Sequence, residues 1–358
     1  MESKNILKNI KSKYCLMEIV NYLQQKRLLK LIKKNKNFQN ELGIGINDYK
    51  KYYEEIEIEI IPTNDKNYKK TFINIEKENQ SYYHIYINDE KNECEKKYFN
   101  KDDNIKKLKI VIDKEIKSFK NLFGYKPFIE KIKFIKFNRK DINNMSYMFF
   151  YCSSLKEINL NNFNTENVTN MEGMFHQCSS LKELNLSSFN TKNVTNMKGM
   201  FHQCSSLKEI NLNNFNTENV TNMEGMFHQC SSLKELNLNS FNTKNVTNMK
   251  GMFKGCSSLI NLNVNSFNTE NVKDMTEMFS GCLSLKKLNL ENFKTNSLSL
   301  MNSMFSECKS LKELNINNFK TRGVSHRYNV FDLTPGKLKI KIFNKFKTKK
   351  DITLWDYY

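Results

Sequence analysis

Apolar positions recur along most of this chain on a beat of 26 residues. Cys152, Cys178, Cys204, Cys230, Cys256, Cys282 and Cys308 are spaced by that step, and so are the leucines from Leu155 to Leu311 and the phenylalanines from Phe163 to Phe319. A constant period of this length is the signature of a solenoid. One repeat alone cannot bury its apolar side, and stacked repeats can. Within a beat, Leu181, Leu184, Leu186 and Phe189 carry an alternating stretch that predicts a short strand with one buried face. Val168, Met171, Met174, Phe175 and Cys178 follow at spacings that fall along one side of a helix and predict a short helical arm. Thr169 and Glu172 stand where a capping box would open it.

The pattern reaches upstream of the obvious copies. Ile129, Ile132, Phe134, Phe137, Ile142, Met145, Met148 and Phe149 fit the full template, and Ile105, Leu108, Ile110, Ile116, Phe119, Leu122 and Phe123 fit a slightly shorter one. About nine coils result, a stack on the order of 40 Å long at roughly 4.8 Å per strand. Charge alternates in two columns of it: Glu166, Lys192, Glu218, Lys244 and Glu270 in one, Glu172, Lys198, Glu224 and Lys250 in the other. Stacking brings equivalent positions close, so like charges would repel there. Each exposed pair contributes only about 0–1 kcal/mol, so avoided repulsion outweighs attraction. Duplication of a unit of 52 residues, one Glu coil plus one Lys coil, accounts for the near-identity of the copies.

The stretch NVTNMEGMFHQCSSLKELNLNSFNT, with its copies over roughly 129–319, resembles the BspA-type leucine-rich repeat. The resemblance implies an α/β solenoid of leucine-rich-repeat type. It also implies a surface or adhesion role, since many members of that family are exported or lipid-anchored. No export signal or lipobox cysteine is recognised in this sequence. The leading expectation is therefore a cytoplasmic protein-interaction scaffold, and the alternative is a surface protein exported by an unrecognised route.

Four segments are expected: a helical module over 1–51, a small β-rich connector over 52–104, the solenoid over 105–319 and a C-terminal cap over 320–358. The first segment, NILKNIKSKYCLMEIVNYLQQKRLLKLIKKNKNFQNEL, resembles an F-box through Ile19 to Leu23 and Leu28 to Leu31, without the usual Leu-Pro opening. That resemblance implies docking to a Skp-type adaptor through Leu16, Ile19, Leu23 and Leu28, and a role as substrate receptor of a cullin-type ubiquitin ligase. A plain helical cap and a basic membrane-surface helix are the competing readings.

Charge narrows the partners. The net charge of +19 sits at the ends: 12 Lys/Arg against 4 Asp/Glu in 1–51, and 10 against 3 in 320–358. Residues 152–319 carry 15 against 14. A nucleic-acid-binding solenoid would place a basic stripe along its length, so nucleic acid is not the expected partner. No segment has the length of a membrane-spanning helix, and a monomer is expected.

Candidate chemistry is sparse. No phosphate loop, nucleophile elbow or zinc-protease helix is found, so no enzyme, cofactor or metal is expected. The cysteine column could form disulfides, bind metal or fill the core, and a reduced compartment favours core thiols. His176, His202 and His228 repeat as HQC, which is not a zinc-site spacing, and could confer mild acid sensitivity. Four NVT sequons at Asn167, Asn193, Asn219 and Asn245 read as repeat copies unless the chain is exported. The strand positions facing away from the core are the candidate protein-binding surface: Glu157, Asn159, Glu183, Asn185, Glu209, Asn211, Glu235, Asn237, Asn263 and Lys287. The asparagines fit either a structural hydrogen-bonding ladder or an acid-edged face for a basic partner. Sequence variation is greatest between Lys254 and Lys287, where a specific contact is expected.

Overall fold

The computed structural model describes residues 40, 55–63, 71–96, 98–99, 103–137, 139–320, 323–342 and 345–348. The chain divides into two compact units, Met1–Glu55 and Ile56–Tyr358. The helical module expected over 1–51, with Leu16, Ile19, Leu23 and Leu28, lies outside the described residues.

The second unit opens with five strands. β1 (Ile56–Pro62), β2 (Tyr83–Ile87), β3 (Leu108–Ile112), β4 (Ile129–Phe137) and β5 (Glu157–Asn159) form one sheet in the order β2-β3-β1-β4-β5. β1 alternates as the sequence IEIEIIP dictates. Ile56, Ile58 and Ile60 are fully buried, while Glu57 and Glu59 pair with Lys109 and Lys107 at 2.9 and 3.4 Å. β1 runs antiparallel to both β3 and β4 and separates them. The repeat register alone would place β3 directly before β4; on this side of the coil a strand from the connector stands between them.

From β4 onward the chain is a β-solenoid of about eight turns on the 26-residue step. Short parallel strands mark it: β5 on β4, β6 (Glu235–Asn237) with β7 (Asn261–Asn263), and β8 (Lys287–Asn289) with β9 (Glu313–Asn315). β10 (Lys339–Ile342) adds to β9 in parallel, and β11 (Lys345–Thr348) returns antiparallel on β10, which ends the parallel stack. On the opposite arm, parallel bridges run without interruption from Ser118 through Asn144, Asn170, Asn196, Asn222, Asn248, Asp274 and Leu300 to His326.

That second arm is not a helix, which corrects the α/β expectation. No α-helix occurs among the described residues of this unit, and its helical stretch is a 3-10 turn, Lys77–Tyr82. The apolar spacing of Met171, Met174, Phe175 and Cys178 is helix-like, but the hydrogen bonds are not. Every second N–H leaves the coil: Met171, Gly173, Phe175 and Gln177 donate to the carbonyls of Asn196, Lys198, Met200 and His202 at 3.0, 2.8, 2.9 and 2.7 Å. The N–H groups of Met174 and His176 between them fold back three residues, to Met171 at 3.3 Å and Gly173 at 3.0 Å. Gly173 and Gln177 hold φ of 56° and 60°. A right-handed helix does not accommodate left-handed residues four apart. The capping box is absent as well. The Glu172 N–H bonds Asn170 Oδ1 at 2.9 Å, and the Thr169 hydroxyl donates to the Asn143 carbonyl at 3.2 Å.

Columns of identical side chains fill the core. Phe149, Phe175, Phe201, Phe227, Phe253, Phe279 and Phe305 stack nearly parallel, with successive centroids 5.3 to 5.9 Å apart. Buried threonines add a polar ladder inside it. Thr191 donates to the Asn216 carbonyl at 2.9 Å and accepts the N–H of the same residue at 2.8 Å, and Thr165, Thr217, Thr243, Thr269 and Thr295 repeat the exchange one coil on. A hydroxyl that both donates and accepts satisfies two backbone groups with one short side chain, where burial would otherwise leave them unpaired.

Candidate functional site

The solenoid presents two surfaces, one per arm. The strand arm carries the residues singled out from sequence. Glu157, Glu183, Glu209, Glu235, Asn185, Asn211, Asn237, Asn263 and Lys287 are exposed, and Asn159 is half-buried. The aliphatic residue between Glu and Asn turns inward, buried at Leu184 and Leu236 and half-buried at Ile158 and Ile210. Glu235, Asn237, Asn263 and Lys287 are brought together around a shallow concavity of about 380 Å³, which reaches from the regular coils into the divergent stretch between Lys254 and Lys287.

The asparagine column is tied into the fold. Asn159, Asn185, Asn211, Asn237 and Asn263 each accept the N–H two residues on at 3.0 to 3.1 Å, which closes the turn after the strand. Asn185 and Asn237 also donate to Asn161 and Asn213 at 3.3 Å. The glutamates are less committed. Glu157 pairs with Lys131 at 2.9 Å and Glu235 accepts from Asn261 at 3.3 Å. Glu183 and Glu209 have no ion-pair partner among the described residues. Beside them Lys156, Lys182, Lys208 and Lys234 form an exposed column of the opposite sign. Coil spacing is roughly 4.8 Å, and two like charges at 4 Å repel by about 1 kcal/mol even in bulk water. These single-sign columns therefore work against the fold, unlike the alternating ones.

The turn arm carries a trough that the sequence reading missed. Gly173, Gly199, Gly225 and Gly251 form its floor, all at positive φ. Tyr147, Glu277 and Ser303 take the same left-handed conformation in other coils, so the backbone alone does not demand glycine here. What glycine adds is open space. One wall is Glu172, Lys198, Glu224 and Lys250; the other is His176, His202, His228 and Lys254. The trough encloses about 310 Å³. Tyr147 closes one end, its hydroxyl donating to Glu172 at 2.6 Å, and the Lys254–Glu277 pair at 2.6 Å closes the other. The signal was a glycine on the 26-residue step beside the alternating charges.

The three imidazoles stack face to face, 4.1 and 4.2 Å between centroids, with Phe150 edge-on to His176 at 4.8 Å. Burial pushes each of them down to about 4, and the neighbouring His202, His228 or Lys254 pushes the same way. At neutral pH the stack is uncharged. Among the described residues no group of three or more His, Cys, Asp or Glu is placed to hold a metal ion.

The cysteine column is buried and free of disulfides. Each thiol donates to a phenylalanine carbonyl 29 residues earlier, from Cys152 to Phe123 at 3.1 Å through Cys308 to Phe279 at 3.1 Å. Burial pushes Cys152, Cys204, Cys256 and Cys308 up to about 12, so these thiols stay protonated. The sequon asparagines have structural work too. Asn167, Asn193, Asn219 and Asn245 donate to the carbonyls of Lys140, Glu166, Lys192 and Glu218 at 2.8 Å, bonds that a glycan on the same nitrogen would disturb. No helix among the described residues is long and apolar enough to cross a membrane.

A search of curated proteins returned no match, and neither did a search of solved structures. A family profile described as "Mycoplasma protein of unknown function, DUF285" matches residues 117–239 and again 221–342, which together span most of the solenoid. On that match the chain belongs to the DUF285 repeat family, which is related to the BspA-like repeat proteins.

Proposed function

We propose that this chain is a non-enzymatic protein-interaction scaffold whose strand arm takes a partner presenting basic side chains. The observation that carries the reading is the column Glu157, Glu183, Glu209 and Glu235. It keeps one sign over four successive coils, is exposed, and has no ion pair at Glu183 and Glu209 among the described residues. The adjacent column Lys156, Lys182, Lys208 and Lys234 also keeps one sign, whereas the two turn-arm columns alternate. A self-repelling column retained through duplication is best accounted for by a partner that neutralises it. The shallow concavity at Glu235, Asn237, Asn263 and Lys287 adds local variety at one end of the stripe.

The test is a photo-crosslinking residue at Lys208, beside the stripe, in the full chain and in the E183K/E209K/E235K variant. The reading expects protein adducts that the triple variant loses. Adducts unchanged by charge reversal would end it. A finer reading, a substrate receptor of a cullin-type ubiquitin ligase, rests on the F-box-like resemblance of residues 1–51 alone. It expects a Skp-type adaptor and a cullin to be recovered with the full chain and lost when 1–51 is removed; recovery of neither with the full chain sinks it.

A further inference from the structure

The alternating columns have a property that intrachain stacking does not use. In chain order the outer column reads Lys140, Glu166, Lys192, Glu218, Lys244, Glu270, and the inner one Glu172, Lys198, Glu224, Lys250. Each has an even number of members, so reversing its direction exchanges the sign at every position. Their midpoints fall at the same inter-coil step, between Lys192 and Glu218 in one and between Lys198 and Glu224 in the other. The trough floor shares that centre, between Gly199 and Gly225, and its two ends are Tyr147 and Glu277.

The coil-to-coil ladder leaves much of this charge unused. Lys140–Glu166 closes at 2.6 Å and Lys198–Glu224 at 3.1 Å. Lys192, Glu218, Lys244 and Lys250 have no ion-pair partner among the described residues. Lys192 and Glu218 flank the shared midpoint, so a two-fold axis there sets each against the other in a second copy, and the whole of each alternating column is its own complement under the same axis.

We propose that the turn arm is a self-association surface and that its occupant is a second copy of this chain, running antiparallel. Lys192 then meets Glu218 of the second copy, Lys244 meets its Glu166, Lys250 meets its Glu172, and Lys198 meets its Glu224. The arrangement is isologous, since the same patch serves both copies. Parallel packing with the coils level would set like charge against like, so the alternation selects direction as well as partner. Exposed ion pairs are individually weak and screened by salt, so the pair is reversible and salt-sensitive. This surface is separate from the strand arm, and its failure would leave the proposed function standing.

Charge design tests it on the full chain. An acidic variant carries K192E, K198E, K244E and K250E. A basic variant carries E166K, E172K, E218K and E224K. A swapped variant carries all eight changes and keeps the alternation. Sedimentation velocity gives the mass, and circular dichroism checks that each variant folds. The expected result at about 100 μM is a wild-type dimer, monomeric acidic and basic variants, a heterodimer on mixing those two, and a swapped variant that dimerises like wild type. A fivefold rise in salt is expected to weaken the dimer by roughly tenfold. A monomeric wild-type chain, acidic and basic variants that self-associate like wild type, or a swapped variant that folds but stays monomeric would each overturn the proposal.

Discussion

The thiol of Cys204 donates to the backbone carbonyl of Phe175, 29 residues earlier in the chain, at 3.1 Å. The relationship recurs for all seven repeat cysteines, and it ties each coil to the one before through a thiol that forms no disulfide. Native thiol titration is therefore expected to leave these seven unreacted until the chain is denatured, because burial holds them protonated and out of reach. Cys204→Ala removes this donor while the Phe175 carbonyl keeps its bond from the Cys178 N–H at 3.0 Å, so a loss of only about 1 kcal/mol is expected by chemical denaturation. Rapid labelling of the repeat thiols in the folded chain would contradict the packing.

Thr217 offers the stricter test of the buried ladder. Its hydroxyl donates to the Asn242 carbonyl at 2.9 Å and accepts the Asn242 N–H at 2.8 Å. Thr217→Val keeps the shape and strands both backbone groups, so a loss of about 2–4 kcal/mol is expected. Thr217→Ser keeps the hydroxyl and should cost clearly less. Equal losses in the two variants would mean that the hydrogen bonds do not matter.

The trough glycines are not equivalent. A Cβ on Gly173 would stand 2.6 Å from the Tyr147 ring, whereas one on Gly199 meets nothing nearer than 3.7 Å. Gly199→Ala should therefore cost only the left-handed backbone penalty, roughly 1–2 kcal/mol. Gly173→Ala should cost more, and Tyr147→Ala in the same chain should remove the excess. Denaturation midpoints of the three variants settle the order.

The imidazole stack gives the chain a defined acid response. His176, His202 and His228 sit near 4 in the folded chain, chiefly through burial, against about 6.5 when unfolded. The unfolded state binds more protons between those values, so the contribution to stability is complete above about 6.5 and is lost as pH falls towards 4. Gln203 bonds His176 and Glu277 faces His228; both favour the charged form, and burial outweighs them. Replacing the three histidines with glutamine is expected to flatten the change in denaturation midpoint across that window. An unchanged slope would show that other groups carry it.

Much of the fold was legible because a solenoid writes its contacts as a period. The Cys, Leu, Phe and Met columns are buried where the 26-residue step puts them. The turn arm was misread for a physical reason. Met171, Met174, Phe175 and Cys178 have helical spacing, but handedness is set by residues whose side chains give no warning. Gln177, Gln203 and Tyr151 take positive φ although such residues seldom do, because their N–H groups are drawn to the next coil. The insertion of β1 between β3 and β4 was illegible too, since pairings such as Ile60 with Leu108 join residues far apart in sequence. Exposure of the strand-arm glutamates was readable from alternation. The trough was not, because it is made by side chains that glycine lacks.

The turn-arm surface depends on that arm being punctuated by left-handed residues rather than helical. Backbone NMR shifts across Met171–Cys178 and its copies, measured on the full chain, are the decisive observation. Non-helical values broken at Gly173 and Gln177 are expected, with the Gly173 amide protected by its 2.8 Å bond to the Lys198 carbonyl. An unbroken run of helical shifts from Met171 to Cys178 would contradict this architecture.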